Sequence, residues 1–185
     1  MNQKINTSLF LILLIGQLAC KSEDPVPVNE EELITTLIYE LTPDDGGDVV
    51  RFMFRDLDGE GGNPPEIIEG KLNGSTIYSC NLILLNEQVV PLKNITEEVK
   101  EEGDAHQFFF NTSSSNIQIL YNDMDINGFP IGIKTSAQTK SAGKGTLTII
   151  LRHEPTKSGD GVSDGDITNA GGETDIEVSF HYVVE

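Results

Sequence analysis

The sequence predicts an all-β domain, an antiparallel β-sandwich of immunoglobulin-like size. From residue 33 onward, short runs rich in β-branched and aromatic residues are separated by Gly, Pro, Asn and Asp at fairly regular spacing. Helical patterns do not alternate with these runs, which disfavours a doubly wound parallel sheet. The helical pattern in this region is a single short one, at residues 95–102. These observations together favour two packed antiparallel sheets.

Nine segments have the residue pattern of a strand. They are residues 33–41, 48–55, 66–72, 75–85, 106–110, 116–122, 131–137, 146–153 and 175–184. The predicted helix at 95–102 is a pair of acidic turns that Gly103 would end. Residues 32–185 suffice for one domain with a sizeable core and are too few for two well-packed domains.

The first residues predict export and lipid attachment. Lys4 precedes an apolar stretch at 9–15, and Leu18-Ala19-Cys20 follows this stretch directly. This order is that of a lipoprotein signal peptide covering residues 1–19, with Cys20 as the acylated residue. The stretch is too short to span a bilayer, which needs about 20 apolar residues. We therefore expect the mature chain to be held at a membrane through Cys20.

Residues 20–31 predict a lipidated acidic tether. The acidic run at 21–24 is similar to the signal that exports lipoproteins of the Bacteroidota to the outer face of the outer membrane. A plain solvated spacer is the alternative, because charge runs often have no other role. Pro25, Pro27 and the acidic cluster at 30–32 cannot bury a core. We expect an outer-membrane protein that faces the cell exterior.

The net charge of the chain limits the kinds of partner that it can bind. The formal net charge of −18 repels phosphate backbones, so nucleic acid is not an expected partner. This negative charge attracts cations, although an acidic surface also simply keeps a protein soluble.

Apart from Cys20, the chain contains only one cysteine, Cys80, which we interpret as a small buried residue rather than a reactive thiol. The domain must then be stable without a disulfide.

Four blocks of sequence carry a family resemblance. They are FRDLDG at 54–59, DAHQFF at 104–109, LRHEP at 151–155 and GDITNAGG at 165–172. These blocks resemble an uncharacterised family of small outer-membrane lipoproteins of the Bacteroidota. Members often carry the label of a type 1 periplasmic-binding fold, which implies two α/β lobes joined by a hinge. This chain is too short and too rich in strands for that fold, so the resemblance implies only ligand binding.

Side chains able to bind a metal lie next to the core-facing residues of four predicted strands, on the same face. Successive strand residues point to opposite faces, so residues two apart share a face. On this basis, the core-facing residues of three strands are followed on the same face by Asp56 and Asp58, by Asp123 and Asp125, and by His153. In a fourth strand, His106 is the first core-facing residue. If consecutive strands alternate in direction, these side chains meet at one end of the sandwich. The loop at 154–173 would close over them.

Segments 56–61 and 123–128 have part of the spacing of a calcium loop, which places oxygen ligands on alternate residues before a glycine. The candidate ligands are Asp56, Asp58, Asp123, Asp125 and Asn127. The twelfth position holds Ile67 or Lys134, where such a loop needs a bidentate Glu. Asp-Gly and Asn-Gly between strand patterns are also typical of tight hairpin turns, so both interpretations stay open.

The histidines predict a transition-metal site as one of two alternatives. His106 and His153, with Glu154, supply imidazole and carboxylate ligands that suit Zn(II), Cu(II) or Fe(II). The alternative is a pair of hydrogen-bonded histidines at the end of a core. The third histidine, His181, shares a face with Glu177 and Ser179 and should point to solvent.

The sequence predicts a binding protein rather than an enzyme. Nucleophile elbows, zinc-protease motifs and phosphate loops are absent from it, and a carboxylate pair for glycoside chemistry cannot be judged from spacing alone. Without Trp, the chain lacks the flat aromatic surface that sugar binding usually employs. We expect capture of a metal cation or a cation-bearing nutrient for an outer-membrane transporter. The alternative is an adaptor without a metal site that binds another envelope protein through a strand edge.

Overall fold

The computed structural model describes residues 33–59 and 61–185. The predicted signal peptide, Cys20 and the tether lie outside these residues. The described part of the chain forms eleven strands and one α-helix. The strands are β1 (Thr36–Pro43), β2 (Val50–Arg55), β3 (Glu66–Ile68), β4 (Gly70–Leu72), β5 (Ile77–Asn86), β6 (Lys93–Asn94), β7 (His106–Thr112), β8 (Ile117–Tyr121), β9 (Lys134–Thr139), β10 (Gly143–His153) and β11 (Glu173–Val184). The helix α1 (Ile95–Glu101) lies between β6 and β7.

Two sheets form the sandwich. The larger sheet has the order β3-β2-β1-β5-β9-β8, with β6 paired to the end of β5, and the smaller sheet has the order β4-β11-β10-β7. All pairs are antiparallel except that of β4 with β11. The predicted all-β class and the short helix are confirmed. Among described residues, no helix is long and apolar enough to cross a membrane.

The predicted strand at 66–72 is in fact two strands in different sheets. β3 pairs with β2 in the larger sheet, whereas β4 runs parallel to the end of β11 in the smaller one. The chain crosses between them at Gly70, where a Cβ would overlap Val50 and Phe52. The apolar pattern of residues 66–72 could not reveal this change of sheet. β3 and β4 differ in the strand with which each pairs rather than in their residue types.

Alternating residues from both sheets fill one core. β1 contributes Leu37, Tyr39 and Leu41, which are fully buried, and β5 contributes Leu82 and Leu84. The period of two follows from strand geometry and places these side chains on the inner face. A buried phenol needs a hydrogen-bond partner. The hydroxyl of Tyr39 meets the Thr135 hydroxyl at 2.7 Å.

Helix α1 begins with a side-chain cap and packs on the end of β5. The side chain of Asn94 accepts a hydrogen bond from the amide of Thr96, which satisfies a helix N–H that lacks a partner within the helix. The hydroxyl of Thr96 in turn bonds both the amide and the carbonyl of Leu84. Ile95 and Val99 are buried in the core. This packing fixes the chain that leads from α1 to His106.

The long loop at 154–172 contacts Asp125 in the hairpin after β8 through Lys157 and also packs on the outer face of the smaller sheet. A second apolar cluster forms there from Phe109, Ile150, Val162 and Ala170. Phe109 and Ile150 point away from the main core, so their apolar surface needs a separate cover. The side-chain amide of Gln107 donates to the carbonyl of Val162 at 2.8 Å and fixes the loop.

Candidate functional site

His106 and His153 face each other across two neighbouring strands. His106 is the first residue of β7 and His153 the last of β10, and the strand register pairs them directly. Their rings are stacked, with centroids 4.7 Å apart and planes 11° from parallel. The predicted approach of these two histidines therefore follows from antiparallel pairing of the strands that carry them.

A β-bulge adds Asp175 to this pair. In the pairing of β10 with β11, Leu151 lies opposite Ile176 and Arg152 opposite Thr174, so Asp175 is the extra residue. A bulge can redirect a side chain to the other face of a sheet. Regular alternation along β11 would have placed Asp175 outward, on the face of Glu177. Alternation along the strand therefore does not predict Asp175 as part of the site.

The three residues form a cluster, hereafter the His-Asp cluster, in which His106 is buried and His153 and Asp175 are half-buried. One ligand atom from each of His106, His153 and Asp175 lies within 4.8 Å of the others. The His106 side chain is 1% exposed and that of Asp175 is 3% exposed. Oδ2 of Asp175 lies 3.8 Å from Nε2 of His106. Among residues 33–59 and 61–185, this is the one group of three such residues with metal-binding spacing.

The end of α1 orients the His106 ring. Nδ1 of His106 lies 3.1 Å from the carbonyl oxygen of Glu102, which can only accept a hydrogen bond. Nδ1 therefore carries the proton, and the lone pair of a neutral ring is on Nε2, on the side of Asp175. Histidines that bind metals commonly make this kind of second contact. Two imidazoles and one carboxylate suit Zn(II), Fe(II) or Cu(II).

The first predicted calcium loop instead has the hydrogen bonds of a turn. Oδ1 of Asp56 accepts from the amides of Asp58 and Gly59, and Oδ2 of Asp58 accepts from the amide and side chain of Asn63. The bonds from Asn63, with the backbone one foremost, lower the pKa of Asp58. These bonds are those by which an aspartate stabilises a tight turn.

The second predicted calcium loop is a hairpin closed by its own carboxylates. Asp123 accepts hydrogen bonds from the amides of Gly132 and Lys134, and Asp125 accepts from those of Asn127 and Phe129. Asp125 also accepts a hydrogen bond from the ammonium of the buried Lys157. Asn127 itself is exposed. The backbone hydrogen bonds of both carboxylates are those of a turn.

The carboxylates of these two loops do not join the His-Asp cluster. β2 and β8 end at the same end of the larger sheet, but β1, β5 and β9 lie between them, which separates Asp56 from Asp123.

Glu154, the other predicted carboxylate ligand, is exposed and has a φ of 50°, and its amide donates to the carbonyl of Ala105. His181 is exposed, and its Nδ1 lies 3.3 Å from the hydroxyl of Thr146.

Comparison with known proteins yielded no relative. The chain matches no family model, and no curated protein or solved structure is significantly similar to it.

Proposed function

We propose that this protein is a lipid-anchored binding protein that holds a transition-metal ion at His106, His153 and Asp175. The observation that carries this proposal is the approach of three ligand atoms to within 4.8 Å of one another, with His106 buried and His153 and Asp175 half-buried. Burial of a carboxylate beside two imidazoles costs solvation free energy, which a bound cation would offset. Three protein ligands leave room in the coordination sphere for water or for a carried molecule.

The proposed location is the outer surface of the outer membrane. Leu18-Ala19-Cys20 and the acidic residues that follow support acylation and export. The bound cation, alone or as part of a nutrient, would be passed to an outer-membrane transporter. The proposed role is binding rather than catalysis, because the sequence contains no nucleophile elbow, zinc-protease motif or phosphate loop.

An adaptor function is the second candidate. Val90 is 98% exposed at the tip of the loop between β5 and β6, and Val89 and Leu92 beside it are also exposed. A contiguous apolar surface of this kind is typical of protein contacts. Under this alternative, the His-Asp cluster holds the ends of β7, β10 and β11 together without a metal.

Metal titration tests the proposal directly. The full chain would be purified in detergent, stripped with chelator and titrated with Zn²⁺, Cu²⁺ or anaerobic Fe²⁺, with metal content and melting temperature as readouts. We expect one ion per chain and a melting temperature that rises with free metal, because the ion binds only the folded state. Asp175→Asn and His153→Ala should each remove the response.

His181→Ala is the matched control, since it removes an exposed histidine from the same strand that carries Asp175. This variant should bind metal like the parent chain. Equal loss of binding in His181→Ala would mean that the ion binds unspecifically to surface imidazole. If no metal binds the parent chain while a protein partner co-purifies and Val90→Asp releases it, the adaptor function replaces the proposal.

A further inference from the structure

A cavity of about 530 Å³ lies between α1, β5 and the segment 123–134. This volume is within the range of small-molecule binding sites. Its apolar wall comes from Ile83 on β5 and from Ile131 and Ile133, which precede β9. Met124 and Ile126 stand at its edge and are 71% and 91% exposed. The cavity therefore offers apolar contact to a ligand that enters from solvent.

The charged lining of this cavity is mainly acidic. Two of the carboxylates come from α1 and two from the segments after α1 and β8; they are Glu97, Glu101, Asp104 and Asp123. Asp125 also lines the cavity, but its charge is matched by Lys157. The opposing cations in the lining are Lys100 and Lys134. The carboxylates outnumber the cations, so the cavity is electrostatically complementary to a positively charged ligand.

Two of these carboxylates are placed unfavourably for the protein alone. Glu97 and Glu101 are four residues apart on α1 and so lie on the same face of the helix, where like charges repel. Lys100 lies 3.9 Å from Glu97, at the outer limit of an ion pair, and both side chains are 62% exposed. Such an exposed pair offsets the repulsion only weakly. A ligand cation between the carboxylates would relieve it further.

The lining also indicates what kind of cation fits. Within the described part of the chain, the residues around this cavity include no Phe, Tyr or Trp. Quaternary ammonium groups are usually held by aromatic faces, so they match this lining poorly. A primary ammonium can instead donate hydrogen bonds to several carboxylates. Aliphatic walls match a methylene chain.

We propose that this cavity binds an aliphatic amine with two or more ammonium groups. Its methylene chain lies against Ile83, Ile131 and Ile133, and its ammonium groups lie at the carboxylates of α1 and of the segments around Asp104 and Asp123. The cavity and the His-Asp cluster involve different side chains. Binding of the amine therefore does not depend on the proposed metal ion.

Three probes with the same five-carbon chain test this proposal: diaminopentane, pentanediol and glutarate. Each would be titrated calorimetrically into the full chain in detergent, with chelator present throughout. These probes are polar enough to stay out of the micelle. We expect saturable binding of diaminopentane only. Pentanediol binding as tightly as the diamine would overturn the proposal, and so would the absence of saturable diamine binding.

Two matched double variants locate the site. Glu101→Gln/Asp104→Asn removes two exposed carboxylates of the cavity, whereas Asp160→Asn/Asp164→Asn removes two exposed ones from the loop on the smaller sheet. We expect the first to weaken diaminopentane binding about 10-fold, as the loss of two partly exposed ion pairs predicts. The second should leave binding unchanged. Equal weakening in both would mean that only the overall charge matters.

His153→Ala separates this proposal from that of the metal site. The variant should bind diaminopentane like the parent chain even though it should bind no metal. Loss of both responses in this variant would contradict the independence of the two sites and therefore the cavity assignment.

Discussion

The ammonium of Lys157 lies 2.8 Å from Oδ2 of Asp125, and the two side chains are only 4% and 1% exposed. Nζ also donates hydrogen bonds to the carbonyl oxygens of Gly103 and Pro130, at 2.5 and 3.0 Å. These three acceptors match the three protons of an ammonium group. Lys157 thereby joins the outer loop, the turn after α1 and the hairpin that follows β8.

Replacement of Lys157 should destabilise the protein strongly. Lys157→Met leaves the Asp125 carboxylate buried without its counter-charge, and we expect a loss of about 3–5 kcal/mol in the free energy of unfolding. Urea denaturation measures this loss. Lys140→Met, at an exposed position, should change stability by less than about 0.5 kcal/mol. Similar values for both variants would mean that the ion pair contributes little.

The pairing of these charges also explains why the sequence left both a calcium loop and a tight hairpin turn open at this segment. Burial alone would raise the pKa of Asp125, but hydrogen bonds from Lys157 and Phe129 outweigh burial and hold this pKa below its ordinary value. Burial lowers the pKa of Lys157, against the opposing effect of Asp125. The spacing of acidic residues resembled a calcium loop, but the lysine that neutralises one of them is 32 residues away. Local spacing cannot show such a partner.

Acid should destabilise the protein partly through Glu87. Hydrogen bonds from Arg55 first, and then from Thr36, lower the pKa of Glu87 from 4.5 to about 2. Because the folded-state pKa is the lower one, this stabilisation is complete above pH 4.5 and is lost as the pH falls toward about 2. Denaturation measured between neutral pH and pH 2 should show this loss.

Comparison of two glutamine variants isolates the contribution of Glu87. Glu87→Gln should have a smaller acid dependence than the parent chain in this window. Glu185→Gln, which removes an exposed partner of Lys71, should keep the parent dependence. An unchanged acid dependence in Glu87→Gln would assign the destabilisation to other carboxylates, such as Asp125.

The sequence predicted the long strands well because their inner positions alternate. Tyr39, Phe108 and Ile149 are all buried as their alternation requires. The same rule brought His106 and His153 together, since both continue inner faces of paired strands. It failed at Asp175, because a bulge changes the alternation and depends on the pairing of β10 with β11 rather than on local residue types.

Cys80 should be unreactive while the protein is folded. It is 5% exposed, and burial raises the pKa of its thiol, which disfavours the reactive thiolate. In the Cys20→Ser chain, we expect a thiol reagent to modify Cys80 about 100-fold more slowly under native conditions than in denaturant. Moving the thiol by one residue, as Ser79→Cys/Cys80→Ser, places it on the exposed face of β5 and should restore fast labelling. Fast labelling of Cys80 itself would contradict its burial.

Gly172 should be sensitive to the smallest substitution, because it lies against the residue that ends β10. Its φ is 71°, and a Cβ at this position would overlap the carbonyl oxygen of His153. Gly171 has a φ of 59° but open space around it, so Gly171→Ala adds only backbone strain, about 1 kcal/mol. Gly172→Ala should cost about 2–3 kcal/mol, since His153 must also move. Denaturation of both variants measures the difference, and metal titration should show weaker binding in Gly172→Ala alone. Equal effects of the two substitutions would mean that the approach to His153 is not constrained.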